Sequence, residues 1–190
     1  RQPVQLWSQD ITTNRERVLV TGAAGLLGQA VVADLLESGY AVHAIDQRRP
    51  DRAPEGSCWF IQADLHDTGQ VAYAMKGCAA VIHLGAIPSP YGHADEVVFH
   101  NNTLATFTVL QAASLLGIDR IAFASSESIY GTAWTPRRFY MRYVPAGEDH
   151  PLRPHDAYAL SKQVDEATAA MFARRDRMTI AALRFAWIAT

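Results

Sequence analysis

The chain has 190 residues, 49% of them hydrophobic and 19% charged, with seven histidines, two cysteines and a formal net charge of −2. This is the composition of an ordinary soluble chain long enough for one sizeable core. It gives no basis for nucleic acid or an acidic membrane as partner. No apolar run reaches the ~18 residues of a membrane span, and the histidines and cysteines lack the spacing of a metal site.

Residues 1–16 are polar and read as a flexible leader without the apolar core of a secretory signal, although Leu6 and Trp7 offer a surface that can dock. Residues 17–190 read as one domain. Val18, Leu19 and Val20 form an apolar run without polar alternation, the pattern of a strand covered on both faces. Gly22, Gly25 and Gly28 follow in a G-x-x-G-x-x-G spacing. Such a turn lets backbone N–H groups at a helix start meet a pyrophosphate, where the helix dipole favours negative charge. A helix is expected over residues 29–38, stopped by Gly39, and a second strand over 41–45 ends at Asp46. Asp46 stands 18 positions beyond Gly28, where an acceptor for a ribose 2′-hydroxyl belongs. Strand, glycine turn, helix, strand and acid together point to dinucleotide binding. The acid would repel a 2′-phosphate, which favours NAD over NADP, although Arg48 or Arg49 in the next loop offers the opposite reading.

A third strand is expected over 58–63, closing on Asp64-Leu65, which either brackets an adenine or, through Asp64, caps the helix expected over 67–75. A fourth strand over 79–84 runs into Gly85-Ala86, small residues where a ribose can pass close to the backbone. The long helix expected over 94–116 carries Asn101 and Asn102 in its middle, where asparagine is disfavoured; they hold a water or a catalytic lysine, or simply face solvent. A fifth strand over 120–124 leads into Ser125-Ser126, and a long loop over 132–154 carries Arg137, Arg138, Tyr140, Arg142 and Tyr143. A helix over 155–175 and a sixth strand over 179–185 complete the pattern. Six strands with intervening helices imply an α/β doubly wound parallel sheet of Rossmann type, in the order 3-2-1-4-5-6. Cys58 and Cys78, in or beside strands, are expected as buried, reduced thiols of a cytoplasmic protein.

Tyr158 and Lys162 are four apart and so project from one helix face. A phenol near pKa ~10 is a poor base at neutral pH, and an adjacent ammonium would bring it toward the working range. Ser126, carried over from the fifth strand, can hydrogen-bond a substrate oxygen while a nicotinamide takes or gives hydride. A salt-bridged helix face is the competing account.

With these pieces in place, the chain resembles the extended short-chain dehydrogenases/reductases of the NAD-dependent epimerase/dehydratase family. The resemblance rests on TGAAGLLG (21–28), Asp46, Asp64-Leu65, HLGA (83–86), NNTLATFTVLQAA (101–113), SSESIYG (125–131) and YALSK (158–162). It implies Tyr158 as general acid/base, Lys162 as its support and a hold on the nicotinamide ribose, and Ser126 as polar partner. It places cofactor contacts at Gly22, Gly25, Leu26, Leu27, Gly28, Asp46, Asp64, Leu65, Leu84, Ala86 and Asn102, beside Tyr158 and Lys162. It also implies a homodimer through the helices of 94–116 and 155–175, and a smaller C-terminal substrate domain that this sequence does not contain.

Two departures narrow the chemistry. Glu127-Ser128 replaces the Asp-Glu pair of the family's dehydratases, and Trp187-Ile188 replaces the Asn-Pro common in its epimerases. The expectation is an NAD-dependent oxidoreductase acting on a sugar or sugar-acid hydroxyl, without a metal. The alternatives are a sugar-nucleotide 4-epimerase with tightly bound NAD and a non-catalytic nucleotide sensor.

Overall fold

The computed structural model describes residues 15–50, 56–135 and 139–188. Six strands form one sheet: β1 (Arg17–Thr21), β2 (Ala41–Asp46), β3 (Cys58–Gln62), β4 (Ala80–His83), β5 (Arg120–Ser126) and β6 (Thr179–Phe185). Their order is β3-β2-β1-β4-β5-β6 and every pairing is parallel, as the pattern of elements predicts. The helices are α1 (Leu26–Glu37), α2 (Thr68–Met75), α3 (Asp95–Leu116) and α4 (Ala157–Asp176).

Neighbouring residues of a strand face opposite sides, so Leu19 and Val20 enter different cores. Leu19, Ile45, Val81 and Phe123 meet Val71, Met75, Val109, Leu110 and Phe172 from α2, α3 and α4. Val20, Val42 and Ala44 meet Val32 of α1 on the other face. Each of the larger side chains contributes about 1.5–3 kcal/mol of burial free energy.

Helix starts follow local capping. Gly25, extended at φ −75° and ψ 167°, stands immediately before α1, so the helix begins at Leu26, earlier than periodicity implies. Asp156 accepts the Ala159 amide at 2.8 Å and starts α4 at Ala157. Asp67, not Asp64, caps α2 by accepting the Gln70 amide at 3.0 Å.

Of the expected leader, Arg15 and Glu16 are fastened to the fold. The Glu16 carbonyl accepts the Ala41 amide and its carboxylate pairs with Arg120. Leu6 and Trp7 lie outside the described residues, as do Arg137 and Arg138. The described part of 132–154 forms no helix or strand. It is pinned by the Arg153 amide on the Ile129 carbonyl at 2.9 Å and by buried His150, whose ring meets Tyr130 and Tyr143. Cys78 is buried, but Cys58 is only half-buried, because β3 is an edge strand; both thiols are free and burial pushes them up to about 12 and about 11. Among the described residues no helix is long and apolar enough to cross a membrane, and no cluster of side chains could hold a metal.

Candidate active site

A cleft of about 670 Å³ opens across the C-terminal ends of β1, β4 and β5. The chain reverses its winding between β1 and β4, and this is where an open parallel sheet leaves room for a ligand. Gly22, Gly25, Leu26, Leu27, Gly28, Asp46, Leu65, Leu84, Ala86, Ser126, Tyr158 and Lys162 all line it. Asp64 and Asn102 do not.

The glycine turn forms one wall. Gly22 has φ +67°, and a Cβ there would lie 2.7 Å from the Gly85 nitrogen, so the turn and the end of β4 can meet only backbone to backbone. A Cβ on Gly28 would strike the Gly22 carbonyl oxygen at 2.1 Å, which fixes how closely α1 packs on the turn. The first turn of α1 has no capping side chain and no acidic residue. In contrast, α2 and α4 are capped by aspartates, and α3 has Asp95 and Glu96 in its first turn. The open N–H groups and the dipole of α1 thus face the cleft, a fit for a pyrophosphate.

Asp46 also shapes this wall. Its Oδ2 accepts the Ala24 amide at 3.0 Å and its Oδ1 the Arg48 amide at 3.1 Å. At the far end Leu65 reaches the cleft while Asp64 turns to its own loop. Asp64 Oδ1 accepts from the His66 amide at 3.0 Å and from Gln47 Nε2 at 3.2 Å, and lies 2.9 Å from His66 Nδ1. The backbone bond from His66 is the main reason that its carboxyl is held below the usual carboxylate range. His66 itself lines the cleft, its Nε2 3.1 Å from the Asn101 carbonyl.

Asn102 is buried and fully used as structure. Its Oδ1 accepts the Ile87 amide at 2.8 Å, and its Nδ2 donates to the Ile87 carbonyl at 3.1 Å and to Ser161 Oγ at 3.0 Å. The mid-helix asparagine therefore clamps the β4–α3 loop to α4, and Asn101 beside it lines the cleft.

Across the cleft, Ser126 Oγ accepts from the Ser128 amide at 3.2 Å and the Ser128 hydroxyl at 2.9 Å. With both acceptor positions filled, its own proton is left to donate, and the Tyr158 phenol stands within its reach. Ser128, which sequence reasoning treated only as a departure, thus orients Ser126. Tyr158 is half-buried with its phenol beside Ser126. Burial raises the phenol above its ordinary value, the Ser126 hydroxyl opposes that, and the carboxylates of Asp156 and Asp165 add to it.

This reverses the shift expected from a neighbouring ammonium. Lys162 Nζ lies 6.0 Å from the Tyr158 ring centre but 3.6 Å from Asp165 Oδ2. The ammonium is engaged by a carboxylate one helical turn onward, on the same face. Lys162 is buried, and desolvation lowers it while Asp165 supports it. A spacing of three on α4 was visible in the sequence; the burial that makes it matter was not.

A doubly wound sheet whose uncapped helix faces the switch point defines a dinucleotide-binding protein. Residues 18–188 match the model of the NAD dependent epimerase/dehydratase family, and the chain belongs to that family. It is 30% identical over 179 residues to an L-arabinose 1-dehydrogenase (NAD(P)(+)) of Haloferax volcanii, covering 92% of this chain and 68% of that one. It is 28% identical to a UDP-glucose 4-epimerase of Bacillus subtilis, over 88% of this chain and 51% of the other. Among solved structures, a short-chain dehydrogenase/reductase superfamily protein from Agrobacterium tumefaciens with bound NAD superposes with a TM-score of 0.78 at 34% identity, over 90% of this chain and 49% of that one. The chain thus spans about half to two thirds of the length of these proteins.

Proposed function

We propose that the protein is an NAD-dependent oxidoreductase that acts on a sugar or sugar-acid hydroxyl. The observation that carries the reading is the convergence of Ser126, Tyr158 and Lys162 on the cleft whose other wall is the uncapped start of α1. The relatives named above, one acting on L-arabinose and one seen with NAD, support it.

In the oxidative direction the Ser126 hydroxyl turns its proton to the substrate oxygen, and Tyr158 takes the proton of the substrate hydroxyl. When bound, NAD supplies the nicotinamide that receives the hydride. Gly22, Gly25 and the amides of Leu26, Leu27 and Gly28 would hold its pyrophosphate, Asp46 the adenine ribose, Leu65 the adenine, and Leu84, Ala86 and Lys162 the nicotinamide side. A raised phenol is protonated at neutral pH, so Tyr158 serves most readily as the acid of the reductive direction and as the base of oxidation only in alkali. A homodimer through α3 and α4 is consistent with Phe107, Leu115 and Leu160, which these helices leave exposed.

The test is to supply candidate sugars and NAD and to follow NADH absorbance at 340 nm. Net NADH supports the dehydrogenase. Isomerised sugar nucleotide without net NADH would make the protein an epimerase. A Tyr158→Phe variant that keeps its biological activity would make it a sensor.

A further inference from the structure

We propose that Asp165 is a positioning residue for the reaction centre, anchoring the Lys162 ammonium from beneath, next to a buried hydrogen-bonded chain that runs from the cleft floor to Thr106. The proposal rests on the reading of Lys162 as the support of Tyr158.

Asp165 is 0% exposed, and neither of its oxygens makes a full hydrogen bond. A buried carboxylate without hydrogen bonds is costly unless a charge answers it, and Lys162 Nζ at 3.6 Å is that charge. The ammonium in turn is 4% exposed, and desolvation lowers its pKa while Asp165 opposes that shift. The two therefore maintain each other.

The chain behind Asp165 has a direction that can be deduced. Thr21 Oγ1 accepts the amides of Leu84 and Gly85, both at 3.1 Å, so its own proton goes to His83 Nδ1 at 2.7 Å. His83 is fully buried and neutral, held down to about 3 by burial and by Lys162. Accepting at Nδ1, it carries its proton on Nε2 and donates to Thr106 Oγ1 at 3.2 Å. The Thr106 hydroxyl stands close enough to Asp165 to favour its ionised carboxylate, without closing a hydrogen bond to it. The backbone at the end of β4 is thus linked through β1 and β4 to Thr106 of α3, beside the ion pair on α4.

The other groups facing the pair are accounted for. Tyr158 and Glu166 share its helix, and both feel or exert its field. Glu166 is occupied by Arg184, at 2.7 and 2.9 Å, and by the Ser125 hydroxyl at 2.6 Å, so it does not compete for Lys162. His83 stays neutral.

The protein has only two lysines, Lys76 and Lys162, which makes a direct test practical. Lysine labelled with ¹³C at Cε gives two resonances, assigned by Lys76→Arg, and their pH titration reads the Lys162 charge with no coenzyme present. The expected result for Asp165→Asn is a Lys162 midpoint lower by about one pH unit or more, restored in large part by Asp165→Glu. In turnover Asp165→Asn should lose about tenfold in kcat toward high pH with little change in KM, whereas a merely structural lesion lowers kcat evenly. An unchanged Lys162 midpoint in a natively melting Asp165→Asn variant overturns the proposal. Should that variant fail to fold, the unaltered protein decides. The Lys162 resonance must show a small step in mild acid as Asp165, raised to about 6, takes up its proton, and absence of the step overturns the proposal equally. A protein that failed to bind NADH would remove the reading of the cleft and leave the Asp165–Lys162 contact standing.

Discussion

Asp46 grips the glycine turn directly: its Oδ2 accepts the Ala24 amide at 3.0 Å, so the acid that closes β2 also sets the loop after β1. One carboxylate thus shapes the glycine turn, and in the proposed binding mode it would also offer charge to the adenine ribose.

Asp46→Ser should therefore weaken NADH more than NADPH. A loss of about tenfold in NADH affinity corresponds to about 1.4 kcal/mol. Isothermal titration with both coenzymes checks it; an unchanged NADH to NADPH ratio would show that Asp46 only shapes the loop.

Tyr158→Phe removes the proton carrier while leaving the cleft wall. Turnover should fall by at least about 10²–10⁴-fold with NADH affinity nearly unchanged. In the unaltered protein, burial raises the phenol above its ordinary value, so the oxidative rate should climb with pH into the alkaline range and the reductive rate should hold at neutral pH. Initial rates measured in both directions across pH provide the check.

Gly28→Ala puts a methyl group 2.1 Å from the Gly22 carbonyl and 2.8 Å from the Ala23 Cα. Backbone cannot yield as a flexible side chain would. The expected outcome is a lower Tm together with loss of NADH binding, whereas Gly39→Ala, with open space around its Cβ but φ +87°, should cost stability without touching the cleft.

His83 ties folding to acid. Its folded value, about 3, lies below the ordinary 6.5, so the unfolded chain binds the extra proton. Stability from this group is complete above about pH 6.5 and is lost as the pH falls toward 3, a slope of on the order of a few kcal/mol in all. His43, lowered chiefly by burial, adds to the same window. Thermal melts of His83→Gln from pH 7 to 4 should show a shallower decline than the unaltered protein.

Much of the molecule was legible because its signals are local. The glycine spacing, the acid at the end of the second strand and the Tyr158–Lys162 pair each lie within one or two elements, and the strand order follows from alternation and handedness. What escaped depends on what comes together in space. The partners of Asn102 are the backbone of Ile87 and the hydroxyl of Ser161, 15 and 59 positions away, so a disfavoured residue marked the place without revealing the task. Asp64 and Asp67 are equally plausible caps by composition, and only the loop path gives the task to Asp67. The destination of the Lys162 ammonium depended on Asp165 being sealed from water, and burial of that kind is a property of the assembled α3–α4 layer.

The central place of β1 also bears on how the chain is born. The apolar segment Val18–Val20 is made well before its second neighbour, β4, which pairs with β1 through residues as far on as His83. Until some sixty further residues have been made, a sticky ribbon with an open side waits for its mate. A nascent chain stalled before His83 should therefore be a client for the cell's folding helpers, while one released after it can close over its own centre.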